Sequence, residues 1–426
     1  MKVLVIGSGG REHALCYRLA KSASVSEVLC APGNPGTARC GENVAVDATD
    51  LDGLVALARE RAVDLTVVGP EAPLCAGIAD RFAEAGLLLL GPSAAAAQLE
   101  GSKIFAKELM QRAGVATAAF AVVEDLAQAR AALGADPTLL VVKADGLAAG
   151  KGVIVCDDSA GALAACEEMF AGKLGDAGAR VLLERKLEGE EVSVIALSDG
   201  ERVVALASAQ DHKRALDGDR GPNTGGMGAY SPAPVLDEAL AARVQREVLE
   251  PVVARMRTEG APYRGVLYAG LMICGGDPQV LEFNCRFGDP ETQPLMARFS
   301  GDLATWLAGA ARGELPPGAP SWDPRAAICV VLAAEGYPGA YQKGHAIEGV
   351  EAAEALDDVI VMHAGTTRDA QGVLRTAGGR VLGVTALGDT LAAAQQRVYE
   401  AADKIGWPGR QMRRDIGFRA LAREDA

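Results

Sequence analysis

Short apolar runs alternate with stretches of helical spacing from residue 1 to about residue 100. The runs that predict strands are Lys2–Ile6, Glu27–Ala31, Val44–Val46, Asp64–Val68 and Leu87–Leu90. Such alternation is typical of parallel strands whose two faces are both covered by helices. The pattern therefore predicts an α/β fold that begins with a doubly wound, parallel-sheet domain.

The middle of the chain has a different rhythm. A helix is predicted from Ser102 to about Ala113, and a smaller α/β section follows over residues 115–190. Further on, Asp237–Arg257 has the spacing of a long amphipathic helix, and Gly265–Ile273 reads as a strand. Two packed lobes are expected here.

A Pro- and Gly-rich segment, GELPPGAPSWDP, ends this central region and indicates a boundary near residue 325. Beyond it, Ala327–Leu332, Val359–Ala364 and Arg380–Ala386 are predicted strands, and Leu391–Ile405 is a predicted helix. We expect three domains: 1–101, 102–325 with 115–190 as a mobile lobe, and a small α+β domain at 326–426. The last has no catalytic constellation of its own and is expected to complete a cleft.

Composition narrows the class of protein. The chain has 426 residues, 49% hydrophobic, with a net charge of −14 that disfavours nucleic acid and anionic membranes as partners. Its nine cysteines form no CxxC pair and its four histidines lie far apart, which argues against a zinc site. No signal-like or membrane-spanning apolar run is present, so a cytoplasmic protein is expected.

The stretch VLEFNCRFGDPETQ, residues 280–293, carries the clearest candidate chemistry. Side chains of a strand alternate between its faces, so Glu282 and Asn284 share one face. Mg²⁺ prefers oxygen ligands and needs only one or two from protein when phosphates supply others. The stretch therefore predicts a Mg²⁺–phosphate site, the alternative being a half-buried edge strand with a solvated face.

A glycine loop lies between two predicted strands, one that ends at Lys143 and one that begins at Val153. It contains Gly146, Gly150, Lys151 and Gly152. The spacing is not that of a Walker A motif, and a strand rather than a helix follows. A hairpin of this kind can fold over a triphosphate, whereas a flexible linker would not be bracketed by strands.

The first turn, GSGGRE, lets backbone amides approach a phosphate at the start of a helix. Glu12 occupies the third glycine position of a dinucleotide fingerprint, and no acid follows the second strand. A small phosphorylated substrate is therefore favoured over NAD. On the helix after residue 101, Lys107 is interpreted as solvated.

Two further segments are candidates for ligand contact. Ser208–Ser231 is too long and glycine-rich for an ordinary connection, and loops of this length tend to be functional or disordered. The connector 185–190 between two strands offers backbone groups to an adenine edge, and Glu191 offers a carboxylate to a ribose.

Seven motifs occur in one order: GSGGREHAL, VGPEAPL, QLEGSKIFAKELM, KADGLAAGKGV, AQDHKR, GPNTGGMGAYSPAP and EFNCRFGDPETQPLM. With these motifs the chain resembles the phosphoribosylamine–glycine ligases of the ATP-grasp superfamily from residue 1 to about residue 423. The resemblance implies a two-lobe ATP-grasp region and ligation of glycine to 5-phosphoribosylamine, through a glycyl phosphate, in purine biosynthesis.

The resemblance also implies roles for individual residues. ATP binding is assigned to Lys103, Lys143, Gly146, Gly150, Lys151, Gly152, Glu184, Arg185, Leu187 and Glu191. Mg²⁺ or Mn²⁺ is assigned to Glu282 and Asn284, and the reacting centre to Arg286, Lys213 and Asp211. Substrate binding is assigned to Gly10, Arg11, Pro32, Gly33, Asn34, Glu71, Asn223, Thr224, Gly225, Gly226, Met227, Asp289, Pro290, Glu291 and Thr292.

Several alternatives stay open on the sequence. One is another ATP-grasp carboxylate–amine ligase of purine metabolism, and a second is a nucleotide-binding protein without turnover. The number of metal ions is also open, because Tyr268–Ile273 carries no acid beside the Glu–Asn strand. The oligomeric state is not fixed; a monomer in transient contact with the preceding enzyme of the pathway is the working expectation.

Overall fold

A computed structural model of the chain describes residues 1–147, 152–173 and 178–424. Its first part is a five-stranded parallel sheet with the spatial order Glu42–Asn43, Glu27–Pro32, Lys2–Gly7, Leu65–Val68 and Leu89–Leu90. The connecting helices are Gly10–Leu19, Thr37–Arg39 (a 3₁₀ turn), Leu51–Glu60, Glu71–Cys75, Ile78–Glu84 and Ala94–Gly101. The predicted doubly wound domain is confirmed.

The sheet forms because its central strand is apolar on both faces: residues 3–6 have no exposed surface. One strand prediction in this sheet is wrong. Val44 donates to the Cys30 carbonyl at 2.8 Å, but Val46 turns back onto the Val44 carbonyl. The chain leaves the sheet there, so the edge strand is Glu42–Asn43 rather than Val44–Val46.

An antiparallel four-stranded sheet forms the smaller lobe, in the order Phe120–Val123, Val181–Glu184, Val141–Ala144 and Val153–Val155. It is packed by the helices Leu126–Ala135 and Ser159–Glu168, the second of which continues as a π-helix at Met169–Lys173. The lobe has a hydrophobic cluster of its own that includes Leu133, Val142, Cys166 and Leu183. Gly150 and Lys151, which were assigned to ATP binding, lie outside the described residues.

The second sheet of the central region is also antiparallel, in the order Val203–Ala205, Glu190–Asp199, Arg264–Cys274 and Asp277–Asn284. Its helices are Lys103–Ala113, Glu238–Val244, Gln245–Leu249 (π), Glu250–Thr258, Thr292–Arg298 and Leu303–Arg312. The predicted long helix over 237–257 thus consists of three consecutive helical segments. A register shift beside Leu271 lets the last strand bend before the Glu–Asn pair.

A third antiparallel sheet, called the third sheet below, joins the predicted substrate loop to the C-terminal region. Its order is Gln210–Asp211, Gly228–Ser231, Ala326–Ala334, Arg380–Gly388 and Val359–His363, with Arg410–Gln411 beside the third strand. The first two strands flank the glycine-rich part of Ser208–Ser231. This loop is therefore an edge of the C-terminal sheet.

Short two-stranded pairs complete the fold: Arg214–Leu216 with Arg220–Asn223, Phe299–Ser300 with Ser321–Trp322, and Thr366–Arg368 with Leu374–Thr376. The remaining helices are Val350–Glu354, Leu391–Lys404 and Phe418–Glu424. No helix in the described part of the chain combines the length and apolar character that crossing a lipid bilayer requires.

Candidate active site

A cavity of about 730 Å³ collects residues from all three parts of the chain. Predicted site residues that line it are Arg11, Glu71, Lys103, Lys143, Gly146, Gly152, Glu184, Asp211, Lys213, Thr224, Gly225, Glu282, Asn284, Arg286, Asp289 and Glu291. Predicted residues outside its lining are Gly10, Pro32, Gly33, Asn34, Arg185, Leu187, Glu191, Asn223, Gly226, Met227, Pro290 and Thr292. The volume suits a small-molecule site, which typically occupies about 300–1,000 Å³.

Glu282 and Asn284, on the strand Asp277–Asn284, both line this cavity, as their spacing predicts. The amide oxygen of Asn284 accepts a hydrogen bond from Arg286 at 3.3 Å, while the Glu282 carboxylate accepts none from the described residues. Burial alone would raise the pKa of Glu282, but the charges of Lys213 and Lys143 outweigh it and lower the pKa. The carboxylate is therefore ionised, as a metal ligand must be.

Three buried charges lie at another wall of the cavity. The Glu184 carboxylate is 2.9 Å from the Lys107 ammonium and 2.7 Å from the Lys143 ammonium. Lys107 also donates to Thr117 Oγ1 at 2.5 Å, and its side chain is only 2% exposed. The interpretation of Lys107 as solvated is therefore wrong. Its helix places it beneath the smaller lobe, where a carboxylate compensates its charge.

The start of the helix Lys103–Ala113 is docked against the glycine loop. Lys103 donates to the Gly146 carbonyl at 2.8 Å. Asp145 accepts hydrogen bonds from Ser102 Oγ at 2.8 Å and from the Ile104 amide at 3.2 Å. A carboxylate at a helix N-terminus is favourable because free N–H groups and the helix dipole meet it.

A second ion pair joins the Glu190–Asp199 strand to the substrate loop. Lys213 Nζ lies 2.6 Å from Glu191 Oε2, so the carboxylate that the sequence assigned to a ribose is held by a lysine. Asp211, 8% exposed, lies near this pair. Burial raises the pKa of Asp211 to about 7, and the neighbouring carboxylates of Glu291, Glu191 and Glu282 add to the rise.

Arg286 connects the Glu–Asn strand to the N-terminal domain. Its guanidinium lies 3.0 Å from Glu100 and 3.4 Å from Glu71. Glu100 also accepts a hydrogen bond from the Cys285 amide at 2.7 Å. These carboxylates raise the pKa of Arg286 although burial opposes it. The arginine is thus a permanently charged group fixed in the cavity wall.

The first turn of the chain is shaped by the side chain of Glu12. The Glu12 carboxylate folds back beneath the turn and accepts hydrogen bonds from the Gly9 amide, at 2.5 Å, and from Arg11 Nε, at 2.6 Å. A Cβ at Gly69 would lie 2.0 Å from this carboxylate. The third-glycine position is thus filled by a carboxylate that shapes the turn and orients Arg11.

Two predicted substrate residues serve mainly to hold loops together. Asn34 donates to the carbonyls of Ser8, at 2.8 Å, and His363, at 2.9 Å, and its amide oxygen accepts from Gly36. Met227 is fully buried, and its backbone groups pair with His212 and Val331. The polar groups named here thus have partners within the protein, and the assignment of both residues to substrate binding stays a prediction.

Several cavity residues were not assigned to the site from the sequence, among them the charged or hydroxyl-bearing side chains of Glu100, Lys107, Tyr337 and Arg380. The two from the C-terminal region belong to no motif with a recognisable mechanism. Arg380 follows two glycines, Gly378 and Gly379. This glycine pair before a charged residue was a sequence signal of close packing.

Models of one protein family match most of the chain. The phosphoribosylglycinamide synthetase N domain matches residues 1–100, its ATP-grasp (A) domain matches 101–292 and its C domain matches 327–419. The three matches follow the order of the chain.

Individual relatives are similar over the full length. The phosphoribosylamine–glycine ligase of Allochromatium vinosum is 54% identical over 428 residues, covering 100% of both chains. That of Vibrio cholerae is 52% identical over 430 residues, again covering 100% of both.

Solved structures agree with this. The crystal structure of phosphoribosylamine–glycine ligase from Thermotoga maritima has a TM-score of 0.86 at 34% identity, covering 98% of this chain and all of that one. A biotin carboxylase domain from Hydrogenobacter thermophilus, solved with MgADP, shares the fold alone: its TM-score is 0.74 at 18% identity, covering 96% of this chain and 91% of that one. These matches show that the chain belongs to the phosphoribosylglycinamide synthetase family of ATP-grasp ligases.

Proposed function

We propose that the cavity joins glycine to 5-phosphoribosylamine at the expense of ATP, giving glycinamide ribonucleotide, ADP and phosphate. The chain is then a C–N ligase of purine biosynthesis, as its family indicates. One observation carries the proposal: the ionised Glu282 and the Asn284 amide face a cavity that also holds Lys103, Lys143 and Arg11. Oxygen ligands, phosphate-binding cations and an arginine from the N-terminal domain thus converge on one space.

The domain division expected from sequence is proposed on the same basis: 1–101 for the amine substrate, 102–325 for ATP, and 326–426 to complete the cavity. The separate hydrophobic cluster of the smaller lobe supports its movement as a unit over 115–190. Closure of such a lobe would exclude water, which would otherwise hydrolyse an acyl phosphate.

ATP would lie between the two lobes. Lys103 and Lys143 supply positive charge for the phosphates, with Gly146 and Gly152 beside them. Backbone groups of 184–187 are proposed to meet the adenine, because the Glu184 carboxylate is already taken by two lysines. Glu191 would turn from Lys213 to a ribose hydroxyl when nucleotide binds.

The residues present fit a divalent cation. Glu282 is ionised and accepts no hydrogen bond from the described residues, and the Asn284 oxygen adjoins it. No group of three His, Cys, Asp or Glu side chains able to hold a metal ion occurs in the described ranges, so a cation here would share its shell with phosphate oxygens and water. When bound, Mg²⁺ or Mn²⁺ neutralises phosphate charge.

Positioning explains most of the chemistry that remains. The glycine carboxylate attacks the γ-phosphorus and ADP leaves it, giving glycyl phosphate. Arg286, fixed by Glu100, and Lys213, released by Glu191 when nucleotide binds, neutralise the negative charge of the glycine carboxylate and of the transferred phosphoryl group. The amine of 5-phosphoribosylamine then attacks the acyl carbon, and phosphate leaves. Asp211, with its pKa raised to about 7, is suited to take the proton released by that amine.

Omission of each substrate in turn tests the proposal. ADP formation, followed with a coupled assay, should need glycine and 5-phosphoribosylamine together and should stop with EDTA. Adding Mg²⁺ or Mn²⁺ back separates the two metals. ADP formation that needs bicarbonate or formate but no glycine would overturn the proposal in favour of another ATP-grasp ligase.

We further propose a monomer in the cytoplasm that meets the enzyme supplying its unstable amine only transiently. Light scattering of the purified chain tests its oligomeric state. A stable dimer at micromolar concentration would contradict it.

A further inference from the structure

Two side chains of the C-terminal region hydrogen-bond to the backbone of Gly225, in the substrate loop. Its N–H donates to Tyr337 Oη at 2.9 Å, and its carbonyl accepts a hydrogen bond from Arg380 Nη1. Both partners also line the cavity. The loop is therefore fixed at its glycine-rich apex by side chains more than a hundred residues away.

The same arginine holds the turn after the Glu–Asn strand. Arg380 Nη1 donates to the Asp289 carbonyl at 2.8 Å, and Nη2 lies 3.1 Å from Asp289 Oδ2. Gln293 occupies the other carboxylate oxygen at 2.8 Å. Burial opposes ionisation of Asp289, but Arg380 and then Arg11 outweigh it and lower its pKa. One guanidinium thus joins the substrate loop to an ionised carboxylate in the cavity wall.

Close packing surrounds this junction. Gly226 has a φ of +104°, and a Cβ there would lie 2.3 Å from Pro290 Cδ. Next to the arginine, a Cβ at Gly379 would lie 2.4 Å from the Tyr337 ring. Side chains cannot enter at either glycine without displacing the tyrosine or the turn. The three segments are held in one arrangement, and interiors this dense transmit small displacements.

We propose that Arg380 and Tyr337 are positioning residues. They hold the Gly225 peptide and the Asp289 carboxylate at the positions from which these groups contact glycine and 5-phosphoribosylamine. This inference rests on the proposed ligase activity. Among the described residues, the side-chain hydrogen bonds and ion pairs of Arg380 and Tyr337 go to Gly225 and Asp289 and not to Lys103, Lys143 or the Glu–Asn pair, so nucleotide binding should not depend on them. Loss of the junction should instead weaken glycine or amine binding and let water reach the glycyl phosphate.

The test uses the full chain with Arg380→Gln, Arg380→Lys and Tyr337→Phe. Arg375→Gln is the matched control, because Arg375 pairs with Asp369 at 2.6 Å in the same region and does not line the cavity. Three quantities are measured: the Kd for ATP, the KM for glycine and for 5-phosphoribosylamine, and the ADP released per glycinamide ribonucleotide formed.

Arg380→Gln should raise at least one of the two KM values by about tenfold or more, the cost of one lost charge-assisted contact. It should also release more than one ADP per product, since water would convert part of the glycyl phosphate to glycine and phosphate. Arg380→Lys should show a smaller loss than Arg380→Gln, and Tyr337→Phe a smaller change of the same kind. ATP affinity should stay within twofold in all three variants.

Three results would overturn the inference: unchanged KM values and coupling in Arg380→Gln, a parallel loss of ATP affinity, or an equal effect of Arg375→Gln. If Arg380→Gln does not fold, Tyr337→Phe decides, and wild-type kinetics in that variant would refute the positioning role. A wild-type enzyme without glycine-dependent ADP release would instead refute the ligase activity itself, so the two failures are distinguishable.

Discussion

The buried charges at Lys107, Glu184 and Lys143 allow a sharp prediction about stability. Two ammonium groups share one carboxylate, and the side-chain exposures are 2%, 2% and 9%. Lys107→Met removes one cation and leaves a one-to-one pair of Glu184 with Lys143. Glu184→Gln instead removes the anion and leaves two buried cations without the carboxylate that they share. The two substitutions should therefore have very different costs.

The magnitudes follow from the charge balance. Removing one partner of a buried pair typically costs about 3–5 kcal/mol, because the other charge is left uncompensated. Glu184→Gln should fall in that range. Replacing a buried ion by an apolar group of similar volume is often near neutral, so Lys107→Met should cost at most about 1 kcal/mol. In Glu184→Gln the ammonium groups of Lys107 and Lys143 repel each other, and Lys107→Met removes this repulsion. The double variant Lys107→Met with Glu184→Gln should therefore be more stable than Glu184→Gln alone.

Urea unfolding followed by circular dichroism measures these differences as shifts of the midpoint at constant m. Lys186→Met is the control, since it removes the same charge two residues from Glu184 at an exposed position. It should change stability by less than about 0.5 kcal/mol. A Lys107→Met variant as unstable as Glu184→Gln, or strictly additive effects in the double variant, would refute this account of the cluster.

Three further results are expected. Burial lowers the pKa of Lys107 to about 8 from 10.5. Between these pH values the unfolded chain binds more protons than the folded chain, so the urea midpoint of wild type should rise relative to that of Lys107→Met as pH rises from about 8 to 10. A difference that does not change with pH would contradict this. Glu282→Ala should lower kcat by about 10²–10³ in the ADP assay, whereas Asp277→Ala, at the exposed start of the same strand, should leave kcat unchanged; equal rates would remove Glu282 from the metal site. Gly226→Ala should lower the free energy of unfolding in urea by about 1–3 kcal/mol and remove most of the activity. Gly260→Ala is the control for backbone strain without crowding, because Gly260 has a φ of +82° and nothing lies within 4 Å of the added Cβ. Equal losses of activity in the two variants would show that crowding of the Asp289–Pro290 turn is not the cause.

The sequence predicted correctly those features that depend only on neighbouring residues along the chain. The strand Lys2–Gly7 is apolar at every inner position, so its burial on both faces follows from the sequence. Glu282 and Asn284 share a face because strand side chains alternate, and this needs no knowledge of the rest of the fold. The Glu12 argument against a dinucleotide also rested on a single position, and the structure shows the carboxylate that fills the space.

Contacts between distant segments could not be read in this way. The burial of Lys107 depends on Glu184, which a helix pattern alone does not place beside it. Tyr337 follows the strand Ala326–Ala334, and Arg380 begins the strand Arg380–Gly388 that pairs with it. They reach the cavity because Ala326–Ala334 also pairs with Gly228–Ser231 of the substrate loop, and no local periodicity encodes that pairing. The edge strand near residue 43 was misplaced for a related reason, since hydrogen bonds to a neighbouring strand rather than side-chain apolarity decide where a short edge strand ends.

The third sheet also constrains how this chain can be recombined. Gly228–Ser231 pairs with Ala326–Ala334, so a break at the proline-rich boundary near residue 325 separates two hydrogen-bonded neighbours. Chimaeras that exchange only the last hundred residues with a relative would place a foreign strand against the native loop. Functional exchange should require transplanting residues 208–231 together with that region, as a single inherited module made of two discontinuous pieces.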